Sequence, residues 1–132
     1  ATQLRLVLVT PETTLLDEPV KSLQFPLFDG QVGVLPGRTP MVGRLGIGEL
    51  SLRTESGERS FFVDGGFVQI KGSVVTLLTN RAIPAEKLDA TAAEQALQAA
   101  QALKPSTEEG FVQKQANLER ARKQLDLRRR QG

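Results

Sequence analysis

Apolar and polar positions alternate with period two from the start of the chain to about residue 83. Leu4, Leu6 and Leu8 interleave with Gln3, Arg5 and Val7. Val20, Leu23, Phe25 and Leu27 continue the pattern, with Pro26 marking an edge or a bulge. Ile47, Leu50 and Leu52 lead to a hairpin turn at Glu55-Ser56-Gly57-Glu58, and Phe61 and Val63 end at a second turn signal, Asp64-Gly65-Gly66. Phe67-Val68-Gln69-Ile70-Lys71 then pairs across Gly72-Ser73 with the run from Val74 to Thr79. Short β-branched runs punctuated by Gly and Pro predict a sandwich or barrel of about eight to ten strands.

Past Pro84 the period changes. Ala92 to Leu103 is rich in the best helix formers, with Asp89 placed to cap it and Lys104-Pro105 to end it. Ser106-Thr107-Glu108-Glu109 reads as a capping box, Glu109 following Ser106 at the required spacing. It opens a second helix of about 24 residues, or ~36 Å, ending near Arg130. That helix carries a thin apolar stripe: Phe111, Leu118 and Leu125, helped by Val112, Gln115, Ala121 and Arg122. The first helix offers Ala93, Leu97, Ala100 and Leu103 in return. Helices joined by so few residues form an antiparallel hairpin. A handful of leucines, at about 1.5–3 kcal/mol each, leaves little margin over chain entropy, so the pair is expected to be weakly docked and able to move. The fold class is therefore α+β, with a β-sandwich over residues 1–84 and a two-helix hairpin over 85–132.

Between the strand-like runs Val20–Phe28 and Ile47–Thr54 lies the segment from Asp29 to Pro40, with three glycines and two prolines around an alternating Val32/Val34. Glycine supplies backbone angles closed to other residues and proline withholds a donor, so a shaped, exposed loop with a short strand inside it is expected. Such loops are where function concentrates.

Composition narrows the chemistry. The chain has no cysteine and no histidine, which removes disulfides, thiol nucleophiles and the commonest neutral-pH proton shuttle and metal ligand. Asp17, Glu49 and Asp64 are isolated carboxylates in or beside turns and offer no acid–base pair. The glycine-rich segment lacks the Lys-Ser/Thr of a phosphate-binding loop. An enzyme is not expected, nor a metal or other cofactor. No apolar run reaches the ~18 residues of a membrane span. Ala1-Thr2-Gln3-Leu4-Arg5 does not open like a signal peptide, and the missing Met fits its removal before Ala1. A soluble intracellular chain is expected, or one held at a membrane through a partner. Charge is uneven: residues 1–103 carry nine Lys/Arg against eleven Asp/Glu, whereas residues 104–132 carry eight against four. A basic tail on a mildly acidic body points either to a negative partner or to a solvated helix face.

Taken together, the motifs Gly30-x-x-Gly33-x-Leu35-Pro36-x-x-x-Pro40, Thr10-Pro11-Glu12 with Leu16-Asp17, Asp64-Gly65-Gly66-Phe67 and Leu88-Asp89 resemble the epsilon subunits of F-type ATP synthases, the counterparts of the mitochondrial delta subunit. The resemblance covers essentially the whole length. It implies a non-catalytic central-stalk rotor subunit, with the gamma subunit, the c-ring and the alpha/beta catalytic head as partners. Its place would be peripheral, on the cytoplasmic face of a bacterial inner membrane, touching the membrane only through the c-ring. The resemblance implies that Asp29, Gly30, Gln31 and Arg38 face the ring. It also implies that Arg120, Arg122, Lys123, Arg128, Arg129 and Arg130 arrest ATP hydrolysis by contacting acidic segments of the head. Some relatives bind ATP in the folded hairpin. Here Leu88, Asp89 and Arg120 match that pocket, while Ala92 and Gln124 stand where its other arginines belong. Losing two phosphate clamps leaves the motif incomplete, and Asp89 reads first as a helix cap.

The alternative is a small nucleic-acid-binding β-domain whose basic tail grips phosphates. Against it, the chain has no Tyr or Trp to stack on bases, and its strand region is acidic on balance.

Overall fold

The computed structural model describes residues 4–28, 30–34 and 40–131. The chain divides into two compact units, Ala1–Pro84 and Ala85–Gly132. The described residues of the first form eight strands: β1 (Leu4–Val9), β2 (Thr14–Val20), β3 (Ser22–Leu27), β4 (Gly30–Val34), β5 (Met41–Thr54), β6 (Gly57–Lys71), β7 (Val74–Thr79) and β8 (Ala82–Pro84). They hydrogen-bond in the order β2-β1-β7-β6-β5-β3-β4, with β8 also on β6. Every pairing is antiparallel except β1 with β7.

One sheet becomes a sandwich because β5 and β6 are long enough to serve both leaves. The first part of β6 pairs with β8 through Phe61–Val63, and the last part pairs with β7 through Gly66–Lys71. Between these ladders sits Asp64-Gly65-Gly66, which the sequence reading took for a turn. The structure corrects this: β6 runs unbroken from Gly57 to Lys71, and the glycines mark a corner within it. Gly66 has φ +119°, and a Cβ there would lie 1.9 Å from the Leu78 carbonyl oxygen. No side chain fits, so the two strands approach closely there. The corner's backbone groups are satisfied by one buried hydroxyl together with its neighbours. Thr79 Oγ1 lies 2.7 Å from the Gly65 carbonyl oxygen and accepts from the Asp64 N–H at 3.3 Å. The Asp64 N–H also donates to the Arg81 carbonyl at 3.1 Å, and the Asp64 carbonyl accepts from Asn80 Nδ2 at 3.3 Å.

The strands bury one face each, as alternation requires. Leu4, Leu6 and Leu8 are fully buried while Arg5 is exposed. With Phe25, Leu50, Val63, Ile70, Leu77 and others they make one cluster of sixteen apolar side chains drawn from six strands. The expected turns at Glu55-Ser56 and Gly72-Ser73 join β5 to β6 and β6 to β7. Pro26 lies at an irregularity in the β3–β5 ladder, inside the sheet rather than on an edge. The run read as Val20–Phe28 is divided at Lys21, whose N–H donates to the Arg53 carbonyl at 2.7 Å.

The second unit opens with a single 3-10 turn, Ala85–Lys87, followed by α1 (Ala90–Ala102) and α2 (Glu108–Arg130). Asp89 caps α1 as expected, its Oδ1 accepting from the Ala92 N–H at 3.1 Å. The second cap differs: Thr107, not Ser106, accepts from the Gly110 N–H at 3.0 Å. Pro105 packs over that first turn, where a Cβ on Gly110 would come within 3.0 Å of the proline ring. That contact sets the start of the helix one residue later than the Ser-x-x-Glu spacing proposes. The apolar stripe is also shorter than expected. Leu118, Ala121 and Leu125 are buried, but Phe111 and Val112 are 56 % and 68 % exposed. On α1, Ala93 and Ala100 are buried, Leu97 is half-buried and Leu103 is exposed.

Candidate partner-binding surfaces

Three of the six phenylalanines are more than half exposed: Phe28, Phe67 and Phe111. A chain with so few aromatic residues spends half of them on its surface, and exposed apolar side chains that lie together mark contact sites. Two of the three belong to one array on the sandwich. The register sets Arg44 of β5 opposite Phe67 of β6, Phe67 opposite Leu78 of β7, and Leu78 beside Val9 of β1. All four occupy one row across four adjacent strands. Phe28 joins it at the end, with the Arg44 guanidinium 4.6 Å from its ring centroid, a cation–π contact, and its N–H bonded to the Arg44 carbonyl at 2.9 Å. Val42, two residues before Arg44 on the same face of β5, is 73 % exposed.

An open groove of about 570 Å³ follows this row. Arg44, Phe67 and Leu78 line its apolar wall, and Thr10, Thr79 and Asn80 line the wall by the glycine corner. Its chemistry is that of a docking surface: broad, mostly apolar, with one cation already held by an aromatic ring. The sequence reading missed it. The signal was present in Phe67-Val68 and Leu77-Leu78, where adjacent apolar residues must face opposite sides of a strand. One of each pair serves the core and the other is left exposed.

The Gly30–Pro40 segment is described in part. Gly30 opens β4 with φ +148°, a value that favours glycine, and Gln31 pairs with Pro26 through the backbone. Asp29 and Arg38 lie outside the described residues.

The basic residues of α2 fall into distinct settings. Arg122 and Lys123 are exposed. Arg120 is half-buried and donates to Asn117 Oδ1 at 2.9 Å. Arg128 donates to the Leu88 carbonyl at 2.9 Å, Arg129 reaches Glu94 at 3.5 Å, and Arg130 pairs with Asp126 at 3.4 Å. As the last turn of the helix, Arg128, Arg129 and Arg130 also offset the negative end of its dipole. Of the three residues matched to an ATP pocket, Asp89 is engaged as a cap and Leu88 as an acceptor for Arg128, while Arg120 is turned to its own helix.

With both surfaces in place, comparison with known proteins becomes decisive. The sequence matches the family model of the ATP synthase delta/epsilon chain β-sandwich domain over residues 3–85. The chain belongs to the ATP synthase delta/epsilon family. The ATP synthase epsilon chain of Rhodopirellula baltica is 48% identical over 122 residues, covering 92% of this chain and 95% of that one. The epsilon chain of Solibacter usitatus is 39% identical, with 78% of each covered. Among solved structures, a chain of the Euglena gracilis mitochondrial ATP synthase, from a cryo-EM structure of its OSCP/F1/c-ring assembly, superposes with TM-score 0.83 at 28% identity. That match covers 92% of this chain and 79% of the other. A chain from the central stalk and c-ring of the Tetrahymena thermophila enzyme shares the fold, at TM-score 0.70 and 14% identity. Among the described residues of this epsilon-family chain, no helix is long and apolar enough to cross a membrane.

Proposed function

We propose that this epsilon-family chain works as a rotor part of the ATP synthase central stalk. In this reading the row Phe28–Arg44–Phe67–Leu78 seats the sandwich on the gamma subunit. The segment with Asp29, Gly30, Gln31 and Arg38 meets the polar loops of the c-ring. The sandwich thus links ring rotation to ATP synthesis in the alpha/beta head and performs no chemistry itself. The observation that carries the reading is the exposed apolar row, on a chain matched along nearly its whole length by epsilon chains. Such a row is costly to leave in water and is accounted for by a permanent subunit contact. The chain would sit peripherally on a membrane-bound complex, on the cytoplasmic face of a bacterial inner membrane, as its bacterial relatives suggest.

The helical unit is the regulatory half of the proposal. Arg120, Arg122, Lys123, Arg128, Arg129 and Arg130 would restrain the head by meeting acidic segments of its beta subunits. An attraction between exposed charges of this kind fades beyond a Debye length of ~8 Å in physiological salt.

Two measurements test the halves separately. Phe67→Glu combined with Leu78→Glu puts two carboxylates on the row without touching the core. The variant should fold yet fail to co-purify with gamma, and normal recovery with gamma rejects the docking assignment. Deleting residues 89–132 should raise ATP hydrolysis by the assembled complex, and an unchanged rate removes the inhibitory role.

A further inference from the structure

Lys114, Leu118, Ala121, Leu125 and Arg128 follow one another along α2 at spacings of four, three, four and three. This is the spacing of a seam along one helix face. Its three middle members are buried. Its two end members are cations, and each bonds to main-chain carbonyls at one end of α1. Lys114 Nζ lies 2.9 Å from the Leu103 carbonyl oxygen and 3.4 Å from that of Gln101, at the C-terminal end where helix carbonyls lack partners. Arg128 Nε donates to the carbonyl of Leu88, the residue before the α1 cap. Between these ends the buried residues are Ala93 and Ala100 on α1 and Leu118, Ala121, Leu125 and Leu127 on α2, small side chains on one helix and mostly large ones on the other.

We infer that Lys114 and Arg128 form a two-ended latch that closes the hairpin and fixes its register without a nucleotide. The inference rests on the regulatory reading of this unit and supplies its control. Three observations carry it. The apolar seam is short and half of it is alanine, so it sets register weakly. The latch acceptors are backbone oxygens, which stay in place whichever side chains α1 carries. A slip of one helical turn would strand both cations away from their carbonyls and leave the C-terminal carbonyls of α1 without the Lys114 contact. One consequence is mutually exclusive use of Arg128: bonded to Leu88 it is unavailable to the head, and it becomes available only when the hairpin opens. Arg129, paired with Glu94, follows the same rule.

The test uses the full-length chain, whose lack of native cysteine allows site-specific labelling. Spin labels are placed at Gln95→Cys and Glu119→Cys, both exposed, and the distance between them is measured by pulsed electron resonance. One narrow, short distribution is expected, unchanged by Mg·ATP. Arg128→Gln should add a longer component, raising the open fraction roughly ten-fold, the effect of losing a hydrogen bond from a charged donor. Lys114→Gln should act in the same direction, and Arg128→Lys should restore most of the closed form. If Arg128→Gln also costs helicity by circular dichroism, the Lys114→Gln distribution decides. A narrow distribution that survives both Gln variants overturns the latch, as does one that forms only when Mg·ATP is added. ATP hydrolysis by the complex separates this inference from the reading beneath it. A hairpin opened by Lys114→Gln, a residue with no assigned head contact, with unaltered hydrolysis rejects the inhibitory role and leaves the latch standing.

Discussion

The two units are held together by different means. The sandwich buries sixteen large apolar side chains in one cluster drawn from six strands. The helical unit buries four leucines and four alanines, and its ends are fastened by hydrogen bonds from long cationic side chains. Burying a large side chain contributes about 1.5–3 kcal/mol and burying alanine much less, so the sandwich has reserve where the hairpin has little. The sandwich rests on one large apolar core, and the hairpin on a thin seam and a few polar contacts. The comparison teaches that thinning an apolar seam to alanine leaves more of a unit's hold to a few polar contacts.

The most direct way to break this contrast is to remove one large side chain from each unit. Phe25 is fully buried in the sandwich cluster, and Phe25→Ala should lower its stability to urea by about 3–5 kcal/mol. Leu118→Ala should leave that main transition nearly where it was and instead speed amide exchange through α1 and α2. A shared, equally shifted transition for both variants would mean that the units unfold as one, and the contrast would fail.

Thr79 sharpens the comparison at the sandwich corner. Its hydroxyl serves the backbone of Asp64 and Gly65 where β6 passes from β8 to β7. Thr79→Val keeps the shape and removes the hydroxyl partner of the Gly65 carbonyl, while the Asp64 N–H keeps the Arg81 carbonyl, at a cost of about 1–3 kcal/mol. The matching change in the hairpin is Asp89→Ala, which removes the α1 cap and should cost about 1 kcal/mol, read as lost helicity rather than as a lower sandwich midpoint. Equal losses from the two, measured by circular dichroism against denaturant, would put the polar contacts of both units on the same footing.

Local signals carried most of this architecture. The alternation of Leu4, Leu6 and Leu8, the turns at Glu55-Ser56 and Gly72-Ser73, and the Asp89 cap were all legible, because each depends on neighbours a few residues away. Asp64-Gly65-Gly66 was misread because two glycines permit a reversal and a bend alike. The choice is made by β7 and β8, which pair with β6 on either side of the corner. Thr107 displaced Ser106 as the cap because Pro105 and Gly110 meet in space, a contact that the spacing of hydroxyl and carboxylate does not encode. Phe111 kept the heptad period yet stayed exposed, since α2 has only the end of α1 opposite its first turn. The docking row was hidden for a related reason. Phe67 and Val68 are both apolar, and only the ladder decides that Val68 turns inward. Arg122, read as an aid to the apolar stripe, is exposed instead, and the engagement of Arg128 with a carbonyl 40 residues away had no sequence signature.

The smallest effect expected concerns the surface ion pairs. Arg5 and Asp17 meet at 2.6 Å across the β1–β2 ladder of the sandwich, with about half of each side chain exposed. Arg129 and Glu94 meet at 3.5 Å across the hairpin and are more exposed still. The first pair joins directly apposed strands that the ladder already fixes, so little side-chain entropy is lost in holding it. The second joins two long, more exposed side chains across a thin seam, so more side-chain entropy is lost in holding it. A double-mutant cycle should therefore give about 0.2–1 kcal/mol of coupling for Arg5–Asp17, falling as salt rises. The Arg129–Glu94 cycle should give a value near zero for stability and a measurable one only for the spacing of the helices. A coupling for Arg129–Glu94 as large as that for Arg5–Asp17 would show that ion pairing, and not the carbonyl contacts of Lys114 and Arg128, holds the helical pair shut.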